Sequence, residues 1–136
     1  MRRFLDTSVL LYSISEQPSE QIKRNIAEQL LAERDGALSV QVLQEFYSQA
    51  TRPTRPRALT HDDAVRLIRT WLRFPIQDMT VAVMGSALDI KARTGFSYWD
   101  AAIIAAAQAL DCEELLTEDL THGRKIDGMR IVNPFR

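Results

Sequence analysis

Four acidic residues stand at positions where an α/β protein can use them. Asp6 follows Arg-Phe-Leu at 3–5, a short run that reads as a strand. Glu45 lies in the helix expected after a second strand at Ala37-Leu38-Ser39. Asp100 falls in the first turn of a strongly apolar helix opened by Ser97. Asp119 follows Leu115-Leu116, another short strand. In open parallel sheets, sites collect at the carboxyl ends of strands. The four acids, far apart in sequence, are therefore predicted to meet at one pole. Each has a plainer account. Asp6 suits a helix cap, Glu45 a solvated helix position, Asp100 a capping box with Ser97, and Asp119 a turn. Taken together, clustered carboxylates repel one another and resist desolvation. A divalent cation resolves that conflict, and oxygen-only ligands point to Mg²⁺, with Mn²⁺ as a substitute. Such a site suits phosphodiester hydrolysis, where a metal activates water and offsets charge on the phosphate.

The elements that must position these acids alternate between strand and helix. Val9, Leu10 and Leu11 read as a short helix. Pro18-Ser19 opens a second, with Ile22, Ile26 and Leu30 at helical spacing and Gly36 as its stop. Val42, Phe46 and Ala50 share one face of a third helix, which ends before Arg52-Pro53. Thr60 begins a fourth, with Asp63 as capping partner and Ala64, Val65, Ile68, Trp71 and Leu72 as its apolar face. Pro75 to Asp78 is a brief extended piece. Another helix runs from Thr80 to about Arg93 and stops at Gly95. From Ala101 to Leu110 nearly every residue is Ala, Ile or Leu, so this helix is expected to be buried on several sides. Gly123 and Gly128 mark turns, and Arg130-Ile131-Val132 is a last short strand. The pattern predicts a three-layer α/β/α sandwich around a mainly parallel sheet of short strands. No linker interrupts it, so 1–136 reads as one domain.

Bulk composition narrows the classes. The chain has 136 residues, 46% hydrophobic and 26% charged, as in ordinary soluble domains. No apolar run approaches the roughly 20 residues that cross a bilayer. Asp6 breaks the apolar stretch after Arg2 and Arg3, which argues against a signal peptide and for the cytoplasm. Cys112 is the single cysteine, so there is neither an intrachain disulfide nor a zinc spacing, and a packed thiol is expected. The net charge of −1 offers no global attraction to nucleic acid. Any RNA binding must rest on local basic groups.

One such group is Thr-Arg-Pro-Thr-Arg-Pro-Arg at 51–57, a loop that its prolines are expected to keep extended. Arg52, Arg55 and Arg57 there fit either contact with RNA phosphates or plain solvation. Arg66, Arg69 and Arg73 read as the wet face of a helix. His61 is expected to be exposed, and His122 to be structural. Trp71 and Trp99 are expected in the core or at a dimer interface. Glu118, beside Asp119, should point away from it and be solvated rather than a ligand, with an indirect supporting role left open.

Several segments together resemble a known family. Phe-Leu-Asp-Thr-Ser-Val-Leu-Leu at 4–11 looks like the opening of a PIN domain. Glu45, Tyr-Trp-Asp-Ala-Ala-Ile-Ile-Ala-Ala-Ala at 98–107 and Leu-Leu-Thr-Glu-Asp-Leu at 115–120 follow in matching order. The tail from His122 to Phe135 is especially similar to the VapC toxins of bacterial VapBC toxin–antitoxin pairs. The resemblance spans nearly the whole chain. It implies a PIN fold, a metal-dependent endoribonuclease acting on structured tRNA or rRNA, a homodimer, and inhibition by a VapB-type antitoxin. Carried over by position, Asp6, Glu45, Asp100 and Asp119 match the four acids, and Thr7, Ser8 and Thr117 match small hydroxyl residues beside them. Asp6 and Asp100 are expected to be the most direct ligands, with Asp119 completing the metal site. Glu45 would orient or deprotonate water, or hold a second ion.

Two other classes compete. A non-catalytic PIN-type RNA-binding or scaffolding module would be marked by a lost acid, and none is lost. A phosphotransferase with an Asp nucleophile commonly carries a second Asp two residues on, where this chain has Ser8.

Overall fold

The computed structural model describes residues 1–136. Six short strands form one sheet in the order β3-β2-β1-β4-β6-β5. They are β1 (Arg3–Leu5), β2 (Gly36–Ser39), β3 (Ile76–Gln77), β4 (Glu114–Leu116), β5 (Lys125–Ile126) and β6 (Met129–Val132). All neighbours run parallel except β5, which pairs antiparallel with β6. The central strand β1 is flanked by β2 and β4, with Phe4 opposite both Ala37 and Leu115. Phe4, Ala37, Leu38, Leu115 and Ile131 are fully buried. A sheet covered on both faces takes such unbroken apolar strands.

Six α-helices complete the three-layer α/β/α sandwich. They are α1 (Thr7–Ser13), α2 (Gln21–Ala32), α3 (Val40–Ala50), α4 (His61–Trp71), α5 (Val81–Thr94) and α6 (Tyr98–Ala109). α1 packs on α2 and α3, and α3 on α4, whereas α5 packs on α6. Side-chain oxygens start most of them. Asp6, Ser39, Thr60, Thr80 and Ser97 each accept a backbone N–H in the first turn. Gly95 ends α5 at φ 79°, a left-handed cap that suits glycine. Residues Ala101 to Ala107 of α6 are all buried, as its composition predicted. Their small side chains let the helix lie close to both α5 and the sheet. Trp71 is buried and meets Phe46 edge-on at 4.7 Å. Cys112 is a packed thiol, and burial pushes its pKa up to about 11.

Several local expectations need correction. Gly36 does not stop α2, which ends at Ala32; it opens β2 instead. A Cβ there would meet the Phe74 ring at 3.0 Å and Leu5 Cδ1 at 3.2 Å, so close packing favours glycine. Ile22 is 76% exposed, and α2 buries Ala27, Leu30 and Leu31. On α4 the buried residues are Ala64 and Trp71, while Leu72 lies outside the helix and is exposed. The proline-containing loop is not extended. Arg55 N–H bonds the Arg52 carbonyl at 2.9 Å and Ala58 N–H bonds the Arg55 carbonyl at 3.1 Å, folding it into consecutive turns. The antiparallel strand β5 was not foreseen, because two residues carry no periodic signal.

Candidate active site

The parallel ladder fixes where the acids fall. Asp6 comes directly after β1, at the carboxyl edge, and its N–H bonds the Leu116 carbonyl of β4 at 3.0 Å. The side chain is 6% exposed. Both of its oxygens are engaged: Thr7 N–H donates to Oδ1 at 2.7 Å, and the Thr117 hydroxyl donates to Oδ2 at 2.6 Å. Thr117 is fully buried after β4, and its Oγ1 also accepts the Asp119 N–H at 3.1 Å. One hydroxyl therefore ties Asp6 to the backbone of Asp119. Asp6 is also the cap of α1, so the plainer account of this residue holds alongside the functional one.

The other two acids ride on helices. Glu45 sits in the middle of α3, half-buried, and its Oε1 accepts from Gln41 Nε2 at 3.0 Å. The same amide donates to the Trp99 carbonyl at 3.1 Å, next to Asp100 in the first turn of α6. The Asp100 N–H is capped by Ser97 Oγ at 3.1 Å. Gln41 was not foreseen as part of the site. A buried glutamine one turn before an acid was the available signal.

Electrostatics link all four. Burial pushes the Asp6 pKa up to about 6, against the bonds from Thr117 and Thr7, and the charges of Asp119 and Glu45 add to the rise. Burial also raises Glu45, partly offset by Gln41, with Asp100 and Asp119 repelling it. Asp119 is raised by burial and by the charges of Glu118 and Asp100. These acids favour a cation by charge and by donor chemistry. Two buried polar atoms among them, Thr7 Oγ1 and Gln41 Oε1, have no hydrogen-bond partner. Thr7 nonetheless lies near enough to Glu45 to favour its ionised form. In this arrangement no three Asp, Glu, His or Cys side chains group tightly enough to hold a metal ion by themselves. The donor set thus fits a hard divalent cation, while ligand closure would require side-chain adjustment.

Of the two readings of Glu118, plain solvation does not hold. Lys23 Nζ from α2 donates to its Oε2 at 2.7 Å, and the Tyr12 hydroxyl from α1 donates to its Oε1 at 2.5 Å. Burial works against its charge, but these two bonds outweigh it and hold its carboxyl below the ordinary range. Its N–H reaches Ser8 Oγ at 3.4 Å. The segment after β4 is thereby held on both sides. Spacing along the chain could not show this cluster, since its members come from three separate elements.

A cleft of about 270 Å³ opens beside Asp119, lined also by Thr7, Ser8, Tyr12, Gln49 and Arg55. The three loop arginines part company here. Arg55 faces the cleft, Arg57 pairs with Glu16, and Arg52 is exposed. His61 is exposed and bonds the Tyr47 hydroxyl at 2.9 Å, and His122 Nδ1 accepts the Asn133 N–H at 2.9 Å in a structural role. Trp99 is 65% exposed, which removes the core reading for it. Exposed apolar residues Val81, Met84 and Leu88 follow one another along a single face of α5.

A mostly parallel sheet with an acidic cluster at the carboxyl ends of its strands belongs to the α/β folds that place chemistry at that edge. The PIN domain family model matches residues 3–125, and the chain belongs to this family of nucleases, which typically use a divalent metal. No curated protein matches the sequence. Solved structures share the fold at low identity. A toxin–antitoxin complex from Klebsiella pneumoniae aligns with a TM-score of 0.72 at 20% identity, covering 98% of each chain. VapC20 of Mycobacterium tuberculosis, described as a toxin cleaving the sarcin-ricin loop, gives 0.65 at 20% identity, covering 86% of this chain and 91% of that one. VapBC2 of Rickettsia felis, bound to a DNA fragment from its promoter, gives 0.66 at 18% identity, covering 96% and 97%. No helix is long and apolar enough to cross a membrane.

Proposed function

We propose that this chain is a Mg²⁺-dependent endoribonuclease, the toxin of a type II toxin–antitoxin pair, made of a single PIN domain over residues 1–136 and acting in the cytoplasm. The observation that carries this reading is the meeting of Asp6, Glu45, Asp100 and Asp119 at one pole, each repelled by at least one of the others. Asp6, Asp100 and Asp119 would hold the ion, with Glu45 beside them. When bound, the metal supplies neutralisation of the charge that builds on the scissile phosphate. Glu45 orients the attacking water and accepts its proton, a role suited to a carboxylate of raised proton affinity. Thr117 fixes the rotamer of Asp6, Gln41 holds Glu45, and Ser8 and Thr7 line the approach.

The substrate is a structured RNA such as tRNA or rRNA, cut at a single-stranded position where bases splay outward. Support for the toxin assignment comes from the tail after His122 and from the toxin–antitoxin complexes of the same fold. A VapB-type antitoxin would be the inhibitory partner. The exposed Val81, Met84, Leu88 and Trp99 suit a homodimer.

The purified chain should cut cellular RNA with Mg²⁺ or Mn²⁺, stop with EDTA, and recover on adding metal back. End-mapping after induced expression should find cuts at few sites. Activity that survives chelation overturns the metal assignment. A non-catalytic RNA-binding module is the second reading, favoured by the lack of a closed set of three ligands. RNA binding without metal-dependent cleavage would decide for it.

A further inference from the structure

The cleft beside Asp119 has a composition that the acid cluster does not explain. Arg55 is half-buried on its wall, yet its guanidinium makes no hydrogen bond or ion pair, unlike Arg57 with Glu16. Gln17 and Gln49 line the same cleft, and neither side-chain amide has a partner. Of the three acids on this wall, Asp119 belongs to the acid cluster and the other two are already engaged. Glu118 is bound by Lys23 and Tyr12, and Glu20 Oε1 accepts the Ser15 hydroxyl at 2.5 Å. A partly buried guanidinium without an anion, next to amides with no protein partner, leaves its donors open to an incoming anion. A second cleft of about 230 Å³ shares Gln17 and Arg55 as its wall, so a chain leaving the first has a continuing path. The first cleft measures about 270 Å³, too small for a duplex.

We infer that this cleft is a subsite for the single-stranded nucleotide next to the scissile bond, with Arg55 on its phosphate and Gln17 and Gln49 on its base. The inference rests on the nuclease reading for its orientation but not for its test. Arg55 would fork onto phosphate oxygens, the geometry in which arginine exceeds lysine. The amides offer both donors and acceptors to a base edge. Gln17 and Gln49 are thus specificity-determining residues, and none of the three is a metal ligand.

The test is binding, on Asp100→Asn protein so that the RNA stays intact. Fluorescein-labelled RNA hexamers are titrated by anisotropy across a salt series, with each base in turn at each position. Adding Arg55→Met should weaken binding by roughly tenfold and make the salt slope shallower by about 1, whereas Arg55→Lys should keep most of the slope. Gln49→Leu should flatten the base preference at one position and leave the salt slope alone. Duplex RNA of the same sequence should compete poorly. Unchanged affinity and slope in Arg55→Met, with circular dichroism showing a folded protein, overturns the inference, as does equal competition by duplex. Failure of the nuclease reading would show separately, as wild-type protein that binds these hexamers and does not cut them.

Discussion

Asp6 and Asp119 are joined through one hydroxyl, that of Thr117, whereas Glu45 and Asp100 share no direct hydrogen bond and are bridged by Gln41, which bonds Glu45 and the Trp99 carbonyl. The first pair grows from the ends of adjacent strands, whose register the ladder fixes. The second pair sits on α3 and α6, two helices held by packing. One half of the site is therefore set by the strand ladder, while the other depends on helix packing and side-chain contacts. On the proposed metal reading, ligand closure would fall to the helix-borne half, whose placement no strand ladder fixes.

The largest expected effect removes a carboxylate from either half. Asp100→Asn and Asp6→Asn should each lower cleavage by at least about a thousandfold. Retained cleavage by highly purified protein would remove that residue from the site. The two variants should differ in stability, which sharpens the contrast. Asp6 has its folded pKa raised from 3.8 to about 6. Below pH 4 its carboxyl is protonated in both states and costs nothing. Between pH 4 and 6 the unfolded chain ionises first, so stability falls as pH rises. Above about pH 6 the full cost stands, about 3 kcal/mol from the shift alone. Urea denaturation of wild-type and Asp6→Asn proteins in EDTA should therefore diverge in favour of the variant as pH rises from 4 to 7. A constant gap across that range would refute the buried-charge account.

Thr117→Val tests the tie itself. It keeps the shape but leaves Asp6 Oδ2 without its donor, at a cost of roughly 1–3 kcal/mol in stability, with a loss of roughly ten- to hundredfold in cleavage. The smallest effect is expected on the helix-borne half. Gln41→Leu removes the bonds to Glu45 and Trp99 but also an unpartnered oxygen, so its change in urea midpoint should stay within about 1 kcal/mol. A Gln41 variant more damaging than Thr117→Val would reverse the comparison.

The same division governs what could be read from sequence. Strand ends announce themselves through an apolar run that stops at an acid, so Asp6 and Asp119 could be placed from local pattern. Asp100 was legible because Ser97 caps its helix three residues before. Glu45, taken singly, looked like any solvated glutamate; its station after the second strand and the family resemblance singled it out. The Tyr12–Lys23–Glu118 cluster was hidden, since α1, α2 and the end of β4 meet only in the fold. Gly36 misled, because a glycine after a helix commonly ends it, whereas here the crowding of Phe74 and Leu5 favours it. The loop arginines could be listed as basic, yet which of them faces the acids depends on turns that prolines alone did not reveal.

The N–H of Thr117 bonds the carbonyl of Val132, so the support of Asp6 leans on the strand made last. During synthesis the chain emerges from its N-terminus. Asp6 appears among the first residues, but the hydroxyl that orients it is secured only once β6 has docked. Until that strand pairs, Asp6 keeps only the local bond from Thr7 N–H, and the acid cluster is unfinished.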